Sequence, residues 1–255
     1  MTHWIRFEHD RKTGFGILEG EQILCHEGDL FGTPRATGSK LSLDQVTLLT
    51  PCSPTQMIGL WNNFKALGAK LGLDTPPEPL YFLKSPSSFL AGGQHIPRPP
   101  AYDGKVIFEG ELGVVIGKTC SRVSEAEADG YIFGYTCVND VTAVEILKKD
   151  ASFDQWSRSK SYDGFGVFGP VIATGLDPAQ LRIKAVLNGD ERQNYPVSDM
   201  IFQPAELVSR ISQDMTLLPG DLIACGTSVG VGSMKPGSHI DITIEGIGTL
   251  SNTFD

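Results

Sequence analysis

The sequence predicts a mixed, mainly β fold: a largely antiparallel β-roll or β-sandwich with short peripheral helices and a small β-rich lobe at the N-terminus. Three observations carry this expectation. The apolar runs are mostly short and strand-like. Glycine and proline, 29 and 16 in 255 residues, punctuate them as turn formers. No steady βαβα rhythm and no internal repeat runs along the chain, which argues against a doubly wound parallel sheet.

Residues 1–50 read as the N-terminal lobe, with strands at 4–7 and 16–23 and a Gly/Pro/Thr-rich loop at 32–39. Pro51-Cys52-Ser53-Pro54 punctuates the boundary, and 51–255 reads as the main domain. A short helix is expected at 63–71, a stiff loop at 74–79 and an irregular link at 97–100. Residues 105–118 read as one strand. Ser124-Glu125-Ala126-Glu127 is a capping-box start for a helix near 124–131. A strand at 133–139 delivers Asp140 at its end, and 141–149 can be helical. Residues 182–187 and 191–195 form a hairpin about Asn188-Gly189, a pair suited to a two-residue turn. Leu207, Ile211 and Met215 recur at helical spacing within an amphipathic helix at 204–217. Strands at 221–225, 239–244 and from 249 onward close the chain.

The net charge of −9 argues against a nucleic-acid protein, which usually carries a basic patch. Five cysteines, widely spaced and without a C-x-x-C pair, fit reduced thiols in a cytoplasmic protein. The N-terminus shows no signal-peptide apolar region, and no apolar run approaches the ~20 residues of a membrane span. A membrane partner is therefore not expected.

Chemistry concentrates in the predicted strand 105–118. Glu109 and Glu111 stand two residues apart, a spacing that puts both side chains on one face. Like charges so close are costly unless a cation or proton sits between them. Asp140 adds a third carboxylate. Hard oxygen donors suit Mg²⁺, Mn²⁺ or Ca²⁺ better than zinc. The plainer alternatives are a solvated strand face for the glutamates and a turn or helix cap for the aspartate. Lys160, between Trp156 and the glycine-rich run after it, either lies at the surface or polarises a developing enolate. Gly226-Thr227-Ser228-Val229-Gly230 fits a nucleophile elbow, but 231–237 cannot form the helix that motif requires. Gly113 to Thr119 lacks one residue of a P-loop. The five histidines, His3, His9, His26, His95 and His239, form no ligand pattern.

Phe108-Glu109-Gly110-Glu111-Leu112, Val138-Asn139-Asp140-Val141-Thr142 and Lys160-Ser161-Tyr162-Asp163-Gly164-Phe165 occur in this order, followed by Pro219-Gly220-Asp221 and Cys225-Gly226-Thr227. Over about residues 55–250 the chain resembles the fumarylacetoacetate hydrolase family of acylpyruvases, fumarylpyruvate hydrolases, oxaloacetate decarboxylases and tautomerases, and an isomerase/decarboxylase of aromatic catabolism. Tyr81 to Ser88 also looks like the family's segment before the glutamates. The resemblance implies a β-roll catalytic domain, usually homodimeric, with Mg²⁺ or Mn²⁺ held by Glu109, Glu111 and Asp140. It implies a small anionic oxo-acid substrate contacted by Lys160, with its carboxylate on the Gly226-Thr227 backbone and the Thr227 hydroxyl. A metal ion acting as Lewis acid would stabilise an enolate.

Two departures stand out. Family hydrolases carry a His-x-x-Glu pair on a short lid helix, but Trp61 to Gly72 contains neither residue. Many relatives follow the metal aspartate with Arg and Gln, where Val144 and Leu147 stand here. Without the dyad, water activation loses a contribution of about 10²–10⁴-fold. The sequence therefore favours isomerase, tautomerase or decarboxylase chemistry. The alternatives are a C–C hydrolase of a β-diketo acid, with water activated by the metal or Glu145, and an inactive protein that binds metal and oxo acid. Lys65 and Lys70 on the lid helix are read as surface residues, with a cationic contact to substrate as the alternative.

Overall fold

The structure, a computed structural model, describes residues 1–255. It is mainly β, as expected, with strands arranged in sheets of twelve, three and five. The N-terminal strands Thr2–His9, Lys12–Glu19, Gln22–Glu27 and Arg35–Ser42 form an antiparallel meander. Ile5, Phe7 and Ile23 make a small core of their own beneath it. The meander is also the outer part of the large sheet, because Thr2 to Trp4 pair with Ile172 to Thr174. The expected strand at 16–23 is instead two strands, because Gly20 (φ 60°) turns the chain between Glu19 and Gln22. The hairpin between Arg182–Leu187 and Asp190–Pro196 forms as read, with both Asn188 (φ 52°) and Gly189 (φ 86°) left-handed.

The expected single strand at 105–118 is broken at Glu109, and this break places the site. Val106–Phe108 pairs with Thr142–Ala143 and Gly232–Met234 in the three-stranded sheet. Gly110–Ile116 lies in the large sheet between Ile132–Asp140 and Leu222–Ala224. The neighbouring chain changes sheet at the same level, between Asp140 and Thr142. Pairing of 142–143 also explains why the helix expected at 141–149 shrinks to Val144–Leu147.

Pro219-Gly220-Asp221 serves the fold. Asp221 is fully buried. Its carboxylate accepts from Thr55 N (2.9 Å), Thr55 Oγ1 (2.7 Å), Gln56 N (3.2 Å), Gln56 Nε2 (2.9 Å) and Leu218 N (2.8 Å). These bonds fix the start of Met57–Trp61 beside Leu222–Ala224, with which it pairs in parallel. Asp221→Ala strands several donors, so we expect a loss of about 3 kcal/mol. That corresponds to a Tm lower by roughly 6–12 °C for a chain of this size. Urea unfolding checks it; a loss below about 1 kcal/mol would contradict this account.

Candidate metal centre and its cavity

Glu109, Glu111 and Asp140 converge at the seam between the two sheets. Glu111 lies directly opposite Val138 in the antiparallel pair, and Asp140 is two residues beyond Val138. Opposite residues share a face, and so do residues two apart, so the two carboxylates meet on one side. Glu109 joins them from the break, where its N–H leaves the sheet ladder for Asn139 Oδ1 (3.0 Å). Oxygens of all three lie within 4.8 Å of one another.

Two ammonium groups hold this acidic cluster. Lys160, on the short helix Trp156–Lys160, bridges Glu109 Oε2 (2.9 Å) and Asp140 Oδ2 (2.5 Å). Lys84, at the end of Leu80–Lys84, is fully buried and pairs with Asp140 Oδ1. Sequence reasoning assigned no role to Lys84. The available signal was its phase: it is two residues from buried Phe82, on the inward side of its strand. A lysine facing inward calls for a carboxylate.

Three carboxylates against two ammonium groups leave one negative charge uncompensated. The acidities follow from that excess. Burial, then the charges of Asp140 and Glu109, push the Glu111 carboxyl well above its usual range. Burial also raises Glu109, partly offset by Lys160. Burial alone would raise Asp140, but Lys160 and Lys84 outweigh it and hold the carboxyl low. Burial works against the charge on Lys160, yet Asp140, Glu109 and Glu111 together raise its pKa.

These residues fit a hard divalent cation. The donors are all oxygen, and Glu111 Oε1 is buried with no hydrogen-bond partner. An orphaned carboxylate oxygen beside two other carboxylates is what a cation would satisfy. Glu111 Oε2 is already oriented, accepting from Gly226 N (2.9 Å). Gly226 needs its φ of 88°, and a Cβ there would meet Leu60 O at 3.3 Å. The Gly226 N–H therefore supports Glu111 rather than standing free for a substrate carboxylate. The Thr227 hydroxyl reaches the cavity but donates to Gly110 O (3.0 Å) and accepts from Gln193 Nε2 (2.9 Å). Gln193, which sequence reasoning missed, also receives the Gly110 N–H (3.0 Å) and so ties the Thr227 loop to the segment between the glutamates.

The cluster opens into a cavity of about 270 Å³. Glu109, Thr142, Lys160 and Thr227 line its reactive end. Elsewhere the walls are largely apolar, including Trp61, Trp156, Val144 and Leu147.

The fumarylacetoacetate (FAA) hydrolase C-terminal family model matches residues 56–255, and a Rv2993c-like N-terminal model matches residues 2–51. The chain belongs to the fumarylacetoacetate hydrolase family. It is 35% identical over 255 residues to oxaloacetate tautomerase YisK of Bacillus subtilis, covering 92% of this chain and 84% of YisK. The crystal structure of 2-hydroxyhepta-2,4-diene-1,7-dioate isomerase from Mycobacterium marinum superposes with a TM-score of 0.91 at 37% identity, covering 100% of this chain and 98% of that one. Maleylpyruvate hydrolase from Sphingobium sp. SYK-6, in complex with manganese(II) ion and pyruvate, superposes with a TM-score of 0.79 at 27% identity, covering 99% and 98%. The named relatives are thus enzymes of several reaction types on one fold.

The surroundings of the carboxylates in this chain limit what else can take part in the chemistry. Its lid helix Lys65–Leu71 lends Leu67, Lys70 and Leu71 to the cavity and offers no acid or histidine. Lys65 lies outside the cavity lining. Glu145, a candidate for activating water, does not line the cavity either. Its carboxylate accepts from the Tyr102 hydroxyl and from Lys105 N (2.9 Å). Ser228 is buried with an unpartnered hydroxyl and is followed by the strand Gly232–Met234, so no nucleophile elbow exists. No helix is long and apolar enough to cross a membrane.

Proposed function

We propose that this protein is a divalent-metal-dependent isomerase or tautomerase, or a decarboxylase, of an enolisable 2-oxo acid or its enol. Glu109, Glu111 and Asp140 hold Mg²⁺ or Mn²⁺. The observation that carries the reading is the pairing of this carboxylate set and Lys160 with a cavity that offers no further acid or histidine to activate water. A bound divalent cation supplies Lewis acidity, which makes the C3 proton of a 2-oxo acid easier to remove. Lys160 bonds two of the carboxylates and also lines the cavity, where its ammonium can hold a substrate oxygen and stabilise a developing enolate. Lys84 keeps Asp140 ionised from behind. Trp61 and Trp156, with ring centroids 5.1 Å apart, supply an aromatic wall to the same cavity. The names of the tautomerase and isomerase relatives support the same chemistry.

The reading includes a homodimer. Leu73, Leu80 and Leu83 are large apolar side chains left exposed within a short segment, and a second copy would cover them. Sedimentation at the 27.6 kDa monomer mass alone would overturn that part.

Proton NMR in D₂O of the Mg²⁺-loaded protein tests the reaction, with oxaloacetate, an acylpyruvate and a hydroxymuconate-type diacid as substrates. Metal-dependent C3 exchange, decarboxylation or isomer interconversion without acyl cleavage is expected. Release of pyruvate and a free acid from the acylpyruvate would make the protein a C–C hydrolase instead.

A further inference from the structure

The Cys225–Gly226 peptide touches the metal centre on one side and the base of the lid on the other. Its N–H donates to Glu111 Oε2 (2.9 Å), and its C=O accepts from Asn63 Nδ2 (2.9 Å). The peptide is trans, so the two groups point in opposite directions and fixing one fixes the other. Asn63 is buried two residues before the lid helix Lys65–Leu71. Its Nδ2 also donates to Phe202 O (3.2 Å), and its Oδ1 accepts from Phe202 N (2.9 Å). Its backbone carbonyl accepts from Ile201 N (2.8 Å). Asn63 is thus anchored to 201–202 independently of the helix that follows.

Glycine makes this anchor necessary. Gly226 (φ 88°) tolerates either sign of φ, so the flipped orientation of the 225–226 peptide is also open to it. Flipped, the peptide would turn a carbonyl oxygen towards Glu111, whose Oε1 already lacks a partner. The strand before it ends at Ala224, and Cys225 N is held by Leu112 O (2.9 Å). Beyond that bond, Asn63 is the only hydrogen-bond partner of the Cys225 carbonyl. An amide suits the position. Aspartate would set an oxygen against two carbonyls, and an apolar side chain would leave Cys225 O, Phe202 O and Phe202 N unpaired.

We infer that Asn63 is a positioning residue that holds the Cys225–Gly226 peptide with its N–H on Glu111, so that the base of the lid and the metal centre are coupled through one peptide group. This rests on the metal-centre reading above. Asn63 hydrogen-bonds to none of the three carboxylates and does not line the cavity, so it acts through the peptide alone. A group behind a metal ligand contributes about 10–100-fold in metal affinity, and Asn63 stands one hydrogen bond further back, which puts its effect at about tenfold. Coupling between two equilibria is reciprocal. A metal ion that fastens Glu111 therefore also fastens Asn63 and the amides bonded to it.

The test uses full-length protein and Mn²⁺ without substrate, with Asp199→Ala as a lid control. Asp199 Oδ2 accepts from Ala66 N (3.1 Å) in the first turn of the lid helix and makes no bond to the 225–226 peptide. In calorimetric titrations Mn²⁺ should bind about tenfold more weakly to Asn63→Ala, and within about twofold of wild type to Asp199→Ala. A residue that merely braces the lid would give the same result in both. Hydrogen exchange on the wild type needs no variant, and so decides alone if Asn63→Ala does not fold. Mn²⁺ should slow exchange over 197–203, which contains the Ile201 and Phe202 amides, more than over the N-terminal meander. Wild-type Mn²⁺ affinity in Asn63→Ala, an equal loss in both variants, or no added protection over 197–203 overturns the assignment and leaves the metal centre in place. If the wild type itself does not bind Mn²⁺, the metal-centre reading fails and this inference falls with it.

Discussion

Replacing Glu111 by glutamine is expected to abolish metal-dependent turnover while leaving the metal-free protein at least as stable as the wild type. The two effects have one cause. Glu111 is buried beside Glu109 and Asp140, and one of its oxygens has no partner. In the metal-free state its charge adds to a net-negative cluster, an arrangement disfavoured by both desolvation and repulsion. Glutamine keeps an oxygen for the Gly226 N–H and places an amide donor where the orphaned oxygen was. The metal, however, loses a charged ligand. In the wild type, Mn²⁺ at a hundred times its Kd should add about 2.7 kcal/mol. For a chain of this size that raises Tm by roughly 5–11 °C. The shift should nearly vanish in Glu111→Gln. Melting curves with EDTA and with Mn²⁺, alongside turnover, provide the check. A variant that keeps wild-type turnover would sink the metal-centre reading.

The same group sets a pH dependence. The Glu111 carboxyl is raised in the folded protein, whereas an unfolded Glu titrates near ~4.3. Between those two values the native state binds the extra proton, so metal-free stability falls as pH rises through the window. Asp140 has the opposite sign: it is lowered, so its contribution is present above ~3.9 and is lost as pH falls further. Metal must displace the Glu111 proton, so Mn²⁺ affinity should rise with pH across the upper window. Glu111→Gln should flatten that rise.

The carboxylate cluster was legible in the sequence because Glu109 and Glu111 are close in the chain and Asp140 ends a recognisable strand. Their spacing was read correctly for a partly mistaken reason: the strand does not continue through Glu109 but changes sheet there. That change depends on Asn139 Oδ1 taking the Glu109 N–H, a contact between residues thirty apart that no local pattern encodes. Gly226 shows the same limit. Cys225-Gly226-Thr227 stood out as a motif, but only packing reveals that its N–H faces Glu111. Lys84 and Gln193 were passed over because a lone polar residue within a strand is ordinarily a surface residue. Both are buried by neighbours distant in sequence. Gly20 was the local miss, since a glycine followed by a polar residue already allowed a hairpin turn between 19 and 22.

Replacing Lys160 by methionine should produce the converse of Glu111→Gln: a less stable metal-free protein that binds metal more tightly and still fails to turn over. The Lys160 ammonium bridges Glu109 and Asp140 from a buried position. Removing one partner of such a set leaves uncompensated buried charge and costs about 3–5 kcal/mol. Lys84 still faces Asp140, so the loss should lie at the lower end. Because Lys160 competes with a cation for the same oxygens, its removal makes the cluster more negative and Mn²⁺ binding tighter. Metal should therefore rescue the melting temperature. It should not rescue catalysis, since the variant lacks the cation that contacts substrate oxygen and stabilises the developing enolate, a loss of about 10²–10³-fold in kcat. Calorimetric titration with Mn²⁺ and single-turnover C3 exchange separate these effects. Weaker metal binding would mean that Lys160 organises the ligands rather than competing for them, and a kcat within threefold of wild type would remove it from the chemistry.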